Sequence, residues 1–100
     1  MPADPRNAGS DKGKLEQELR NWITALKLRK LEYEAVLDEL TKEELLYDLN
    51  HYERELYEEL EPYLRRAEGD GREEVKRMAR ELKELYESIV TLIRRAADGR

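Results

Sequence analysis

One run of residues in this chain has the spacing of a metal site. Asp48, His51 and Glu55 are separated by three and four positions. At about 100° per residue these side chains share one face of a helix, and carboxylate and imidazole groups both bind zinc. A di-metal site in a bundle, however, takes a Glu-x-x-His pair from each of two helices. Because His51 is the only histidine, we expect an ordinary solvated polar face, and a metal binder at these three residues stays as an alternative function.

Adjacent carboxylates recur in the sequence at Glu43-Glu44, Glu58-Glu59 and Glu73-Glu74. Acid–base catalysis needs two carboxyl groups with separated pKa values in a water-poor cleft, whereas on exposed helices such residues pair with Lys or Arg. Gly69-Asp70-Gly71 lacks the spacing and the Lys-Ser/Thr of a phosphate-binding loop. With no Cys in the chain, a thiol nucleophile is excluded as well. We therefore predict a protein that is not an enzyme and has no cofactor.

Three helices must position these residues, and the last is the clearest. Between residues 75 and 97, apolar residues alternate spacings of three and four through three heptads, which is typical of a helix with one apolar stripe. The stripe is Val75, Met78, Leu82, Leu85, Ile89, Leu92 and Ala96, flanked by Ala79, Tyr86, Val90, Ile93 and Ala97. Its arc of roughly 160° is wide enough to pack against two neighbouring helices.

Two earlier segments supply those neighbours, a first helix at about 14–40 and a second at about 42–67. The predicted core face of the first is Leu15, Leu19, Trp22, Ile23, Leu26, Tyr33, Val36, Leu37 and Leu40. That of the second is Leu45, Leu49, Tyr52, Leu56, Leu60 and Tyr63, widened by Leu46, Tyr57 and Leu64. Arg29 interrupts the first face, and we expect its guanidinium to stay in water. Pro62 removes a backbone hydrogen bond, which predicts a kink near residues 58–61.

The boundary between these two helices is marked by neither Gly nor Pro. The sequence T-K-E-E beginning at Thr41 has the pattern of a capping box, and a helix continued past residue 40 would turn its apolar stripe by about 120°. Asp38 and Glu39 argue against a break, because a helix C-terminus favours cations. We favour a break at Thr41, with Asn50 as the runner-up. The sequence leaves open whether the chain reverses there or only kinks; a continuous helix would give a long hairpin that must dimerise.

These elements predict an all-α fold, an up-down-up three-helix bundle with coiled-coil-like packing. Residues 1–13 hold two of the three prolines and two of the five glycines, which predicts a flexible, disordered tail before a single domain at 14–100. The third helix covers about 71–97, with Asp70 as its cap.

No apolar run approaches the ~20 residues of a membrane span, and the first residues lack the apolar segment of a secretory signal. A cytoplasmic location is expected by default.

Three surface features are candidates for a partner contact. Leu28, Leu31 and Ala35 lie opposite the core face of the first helix, and their spacing makes a second stripe. Tyr47 lies nearly opposite the core face of the second helix, and Tyr is enriched in interfaces. The segment 32–48 holds seven carboxylates against one lysine, which suits a basic partner.

Composition and charge narrow the choice of partner. The chain is 43% charged with a net charge of -5, which disfavours direct binding to nucleic acid or to an anionic membrane. We predict a protein–protein interaction module or scaffold that binds a protein partner or associates with itself. The main alternative is an acidic inhibitor, decoy or subunit that binds a basic, nucleic-acid-binding protein.

Residue usage from Lys14 onward carries one resemblance. Six Tyr with no Phe, frequent Leu, Glu and Arg, and helix ends charged to suit the dipole resemble computationally designed or thermophile helical bundles. This is a likeness of style and not of a family motif, and it allows a designed as well as a natural origin. Pro62, His51 and the irregular first residues depart from idealised design.

Overall fold

The computed structural model describes residues 5–100, with side chains from residue 13 onward. Residues 1–4 of the predicted tail at 1–13 lie outside the described residues, whereas residues 5–13 belong to the first helix, which begins at Pro5 and not near residue 14. The helices are α1 (Pro5–Val36), α2 (Lys42–Arg54), α3 (Glu61–Asp70) and α4 (Glu73–Asp98). A 3-10 turn (Leu37–Glu39) follows α1, and a π-helical turn (Glu55–Glu59) joins α2 to α3. We call α1 the first arm, α2 with the π turn and α3 the second arm, and α4 the third arm.

The predicted up-down-up bundle is confirmed. Contacts between the first and third arms join residues at a constant offset along both helices, at Arg20–Glu74 and Lys27–Glu81. Those two arms are therefore parallel. Contacts between the first and second arms join early residues of one to late residues of the other, at Tyr33–Asp48, Arg29–Glu55 and Trp22–Tyr63. The second arm therefore runs antiparallel to its neighbours, and no strand occurs in residues 5–100.

The chain reverses fully between the first two arms, at Leu40 and Thr41, which both have extended backbone. Thr41 Oγ1 accepts a hydrogen bond from the Glu44 backbone N–H at 3.2 Å, and the Glu44 carboxylate accepts one from the Thr41 N–H at 3.1 Å. The capping box is thus confirmed, and these hydrogen bonds lower the pKa of Glu44. Asn50 lies within α2, so the runner-up boundary is wrong.

A cation from the other end of the chain stabilises the acidic end of the first arm. Arg100 donates from Nη2 to the Leu37 carbonyl at 2.7 Å and from Nε to the Leu40 carbonyl at 3.0 Å. The last carbonyls of a helix have no partners within it, and a positive charge beside them is favourable. Arg100 thereby offsets Asp38 and Glu39, which are unfavourable at this position.

The second arm is interrupted next to Pro62, as predicted, but by a widened turn. The Leu60 N–H donates to the Glu55 carbonyl, five residues back, at 2.8 Å. Pro62 has no N–H, and in a regular helix its ring would clash with the carbonyl four residues earlier, that of Glu58. A π turn adds one residue at this place and relieves the clash.

The second arm ends later than predicted. α3 continues to Asp70, three residues beyond the expected end at 67, and Gly71 then adopts φ 84° to turn the chain toward α4. The N-cap of α4 is Arg72, whose Nε donates to Asp70 Oδ1 at 2.5 Å. The prediction that Asp70 caps this helix is therefore wrong, since its carboxylate pairs with Arg72.

The core lies along the axis where the three arms meet, and α4 supplies the largest share of it. The buried apolar residues are Leu15, Leu19, Ile23, Leu26, Leu45, Tyr52, Leu56, Leu60, Ala67, Val75, Met78, Ala79, Leu82, Tyr86, Ile89, Val90, Ile93 and Ala97. The buried face of α4 is centred on Tyr86 and Ile93, whereas the predicted central residues Leu85 and Leu92 are half-buried. No helix of the described chain is long and apolar enough to cross a membrane.

Three residues assigned to the core from the sequence are exposed. Val36 is 41% exposed because α1 ends there. Tyr57 is 69% exposed because it lies in the π turn, whose extra residue breaks the helical phase on which its assignment rested. Leu46 is 47% exposed, in the first turns of α2 on the edge of its buried face.

Replacing Thr41 by Ala removes the side-chain acceptor for the Glu44 N–H. We expect the free energy of unfolding to fall by about 1 kcal/mol, the usual cost of losing an N-cap. Thr41→Ser keeps the hydroxyl and is the matched control, with stability close to that of the original chain. Urea unfolding followed by circular dichroism measures both variants. Equal stability of Thr41→Ala and the original chain would contradict the role given to the cap.

Candidate functional site

The polar centre of the molecule is the Glu55 carboxylate, which sits at the start of the π turn. Glu55 is 8% exposed and is the only buried charged residue among residues 13–100. Burying a carboxylate is costly unless its oxygens accept hydrogen bonds from groups of opposite charge. Its partners therefore decide whether the position is structural or chemically active.

All three arms donate to this carboxylate. Tyr86 of α4 donates from Oη to Oε1 at 2.7 Å. Arg29 of α1 approaches both oxygens, Nη1 to Oε1 at 3.4 Å and Nη2 to Oε2 at 3.3 Å. His51, one helical turn before Glu55 on its own arm, places Nε2 2.5 Å from Oε2. We call these four residues, together with Trp22, the Glu55 cluster.

Aromatic rings enclose the Glu55 cluster and extend it. Trp22 Nε1 donates to Tyr86 Oη at 2.8 Å, so this hydroxyl both accepts and donates. The guanidinium of Arg29 lies 4.9 Å from the centre of the Tyr52 ring, a cation–π contact. The Trp22 ring packs edge-on against Tyr63 and Tyr86. These contacts exclude water from one side of the carboxylate while its oxygens remain bonded.

The pKa shifts follow from this geometry. Burial acts to raise the pKa of Glu55, but hydrogen bonds from Tyr86 and Arg29 and the charge of Arg29 outweigh it, so that pKa lies below its usual range. Burial and the hydrogen bond to Glu55 raise the pKa of Tyr86. The pKa of Arg29 is also raised, because its contact with Glu55 outweighs the opposing effect of burial. At neutral pH the Glu55 cluster is thus a carboxylate held by a guanidinium and a neutral phenol.

Carboxylate, imidazole and phenol groups serve in acid–base catalysis, and a guanidinium can stabilise negative charge, so the access of a ligand to them matters. Glu55 lines neither the depressions beside Lys30 and Lys76 nor those beside Tyr47 and Tyr57. Both oxygens are already occupied by donors, which leaves little capacity to accept a substrate proton. The Glu55 cluster thus joins side chains of the three arms.

Two of the three candidate metal residues, His51 and Glu55, lie together, but Asp48 does not join them. Asp48 Oδ2 accepts a hydrogen bond from Tyr33 at 2.8 Å, while Glu55 is engaged by Arg29 and Tyr86. Within the described part of the chain, no group of three or more His, Asp or Glu side chains is placed to hold a metal ion. The geometry gives the metal-binding alternative no support.

The pairing of Arg29 with Glu55 was missed from the sequence. Arg29 was expected to keep its guanidinium in water; its side chain is 38% exposed, but the guanidinium also bonds to the buried Glu55 carboxylate, which was not predicted. A signal was available: Arg29 and Glu55 each lie on the edge of a core face, on two helices that pack side by side, and carry opposite charges. Periodicity alone does not show that the two edges face each other.

The four candidate contact residues lie on two separate surfaces. Leu28 is 56% and Leu31 66% exposed, and with exposed Ala35 they lie on the outward side of α1. Tyr47 is 75% exposed on α2 and borders a shallow groove with Glu43, Glu44 and Asp48. The structure thus presents an apolar stripe on the first arm and a tyrosine among carboxylates on the second.

Comparison with protein-family models, curated proteins and solved structures finds no match for this chain. Its function has to be argued from its own surfaces and contacts.

Replacing Tyr86 by Phe removes one hydroxyl that serves two hydrogen bonds. The Trp22 N–H loses its acceptor and Glu55 loses a donor, so we expect the free energy of unfolding to fall by about 2 kcal/mol. Tyr57→Phe is the matched control, because that hydroxyl is on an exposed ring, and it should change stability little. Urea unfolding measures both. Equal stability of the two variants would show that the Tyr86 hydroxyl contributes nothing.

Glu55 also predicts a pH dependence of stability. Its folded pKa lies below the unfolded value of about 4.3. Its contribution is therefore complete above that unfolded pKa and is lost as the pH falls through the folded pKa. We expect the free energy of unfolding to decrease from about pH 5 toward pH 3, and Glu55→Gln to show a shallower decrease. Glu58→Gln, at an exposed position, should keep the original slope. Urea unfolding at several pH values tests this, and identical slopes for the two variants would contradict it.

Proposed function

We propose that this chain is a non-enzymatic helical-bundle protein that acts as a protein–protein interaction module or scaffold, with the outward side of α1 as its contact surface. The observation that carries the proposal is the exposure of Leu28 and Leu31, at 56% and 66%, on the side of α1 away from the core. With Ala35 they form an apolar stripe of two helical turns, the pattern by which a helix is recognised by a partner helix or groove.

The core does not require these residues to be apolar. α1 packs into the bundle through Leu15, Leu19, Ile23 and Leu26, all buried. Charged residues occupy most exposed positions elsewhere in the chain. Single apolar residues scattered over a surface are normal, but a set aligned on one side of a helix favours a contact with a partner. The closed bonding of the Glu55 cluster is consistent with a function at the surface and not in the interior.

A second candidate is the acidic inhibitor or decoy of a basic protein. It is favoured by the groove where Tyr47 lies among Glu43, Glu44 and Asp48, within the segment that has seven carboxylates and one lysine. Binding of this kind is steered by charge and weakens steeply with salt, whereas binding through leucines does not. The residue usage resembles that of designed helical bundles. A designed origin is compatible with a scaffold, and it is also compatible with the function of a natural module.

Photo-crosslinking from a photoreactive residue placed at single positions of the chain distinguishes these two surfaces. A photoreactive phenylalanine analogue at position 28 should give an adduct on irradiation, either with a second copy in the purified chain or with another protein in cells that produce it. The same analogue at position 91, an exposed threonine on α4, is the matched control and should give none. Equal yields at the two positions would contradict the proposal. An adduct formed from position 47 alone, and lost at about 0.5 M salt, would favour the acidic alternative.

A further inference from the structure

The apolar stripe on α1 is part of a longer band without charge. Exposed residues on the outward side of this helix alternate spacings of four and three over five turns: Gln17, Asn21, Thr24, Leu28, Leu31 and Ala35. This is the heptad spacing of a coiled-coil seam, and it lies opposite the buried seam of the same helix. We call these six residues the outer band.

The outer band lacks charge, whereas another outward helix face of this molecule is highly charged. The third arm has six exposed residues at the same alternating spacing, Arg77, Arg80, Glu84, Glu87, Thr91 and Arg94. Five of those six are charged, against none in the outer band. Depletion of charge is the compositional mark of the centre of an interface. In a chain that is 43% charged, this difference sets α1 apart as the arm whose outer side can be covered.

The polar members of the outer band already have partners within α1. Gln17 Nε2 donates to Asn21 Oδ1 at 2.9 Å, and Thr24 Oγ1 donates to the Arg20 carbonyl at 3.1 Å. Covering a polar group is costly mainly when it loses hydrogen bonds to water without replacement. These internal bonds lower that cost, so the polar half of the outer band is compatible with a helix packed on it.

We infer that the occupant is a second copy of this chain, bound by its own outer band in an antiparallel helix pair; this rests on the proposed function and names its partner. A two-fold contact is self-complementary, so the same band serves both copies. With the axis between residues 29 and 30, Leu28 lies opposite Leu31 of the second copy, and Thr24 opposite its Ala35. All four leucines then meet at the centre, whereas Asn21 and Gln17 lie opposite positions 38 and 42, beyond the end of the second copy's α1 at Val36.

Charge decides the orientation. The segment 32–48 carries seven carboxylates and one lysine, and a parallel pair would set two such segments side by side. An antiparallel pair separates them. It also brings Lys27, on one flank of the outer band and 3.0 Å from Glu81 of its own chain, close to Glu34 of the second copy, and the symmetric contact repeats this. Like charges in register disfavour a pairing, and opposite flanking charges favour it.

The contact is small, so the dimer should be weak and reversible. Its apolar centre is two leucines and one alanine per copy, which is less than the surface that a stable interface of standard size buries. Sedimentation equilibrium of the full chain, from about 1 μM to about 1 mM, covers the corresponding range of affinity. We expect the average mass to rise from 11.9 kDa toward twice that value. A constant monomer mass up to 1 mM would overturn the inference.

Two double variants show whether the outer band is responsible. Leu28→Glu with Leu31→Glu should keep the monomer mass throughout, with the helical circular dichroism of the original chain, because neither residue is in the core. Leu46→Glu with Tyr57→Glu places the same charges on exposed apolar residues of the second arm and should leave the dimer intact. A dimer that survives the first pair of substitutions, or is lost with the second, would overturn the assignment.

Disulfide trapping tests the orientation, because the chain has no Cys. A mixture of Thr24→Cys and Ala35→Cys chains should oxidise to the mixed dimer. Efficient coupling of Thr24→Cys to itself would instead show a parallel pair and overturn the antiparallel model. If the mass stays monomeric while position 28 crosslinks to a different protein, this inference fails and the proposed function stands. If position 28 also captures nothing, both fail.

Discussion

The structure depends on one buried carboxylate. Glu55 is acceptable in the interior only while Arg29 of the first arm and Tyr86 of the third both reach it. Leucine-rich faces with a heptad period pack almost equally well when one helix slides by a heptad, so apolar contacts alone specify the alignment of the arms weakly. Sliding either neighbour would leave a buried charge without its partners, at a cost of several kcal/mol. We infer that the Glu55 cluster sets the relative height of the three arms, as single polar residues do in coiled coils.

The π turn and the Glu55 cluster occupy the same place on the second arm. Pro62 prevents a regular helix from passing through the residues before it, and the extra residue of the turn is accommodated immediately after the carboxylate. Leu56 and Leu60, on either side of the widened region, are both buried. The interruption therefore does not break the core; it changes the phase of the second arm between its α2 and α3 portions.

Sequence periodicity was sufficient for the fold because it reports how each helix is oriented about its own axis. The three arms, the reversal at Thr41 and most core positions follow from spacing and from one capping box. Spacing says nothing about which edge of one helix meets which edge of another. For that reason Arg29 was assigned to solvent, and the centre of the α4 face was placed at Leu85 instead of Tyr86. Tyr57 was misassigned because a π turn shifts phase, and Pro62 indicates only roughly where the shift occurs.

The same periodicity places Leu28 and Leu31 on the outward side of α1. How well they serve as a contact surface depends on how the rest of the structure holds this helix. α1 is uninterrupted from Pro5 to Val36, whereas the second arm is broken by the π turn. The flanks of the outer band are held by ion pairs from α1 to the third arm, Lys27 to Glu81 at 3.0 Å and Arg20 to Glu74 at 3.5 Å. Binding costs less when the contact surface is ordered beforehand. Because the Glu55 cluster holds α1 in place from the inside, its outer band is presented as a continuous, preorganised helix face, which the interrupted second arm does not offer.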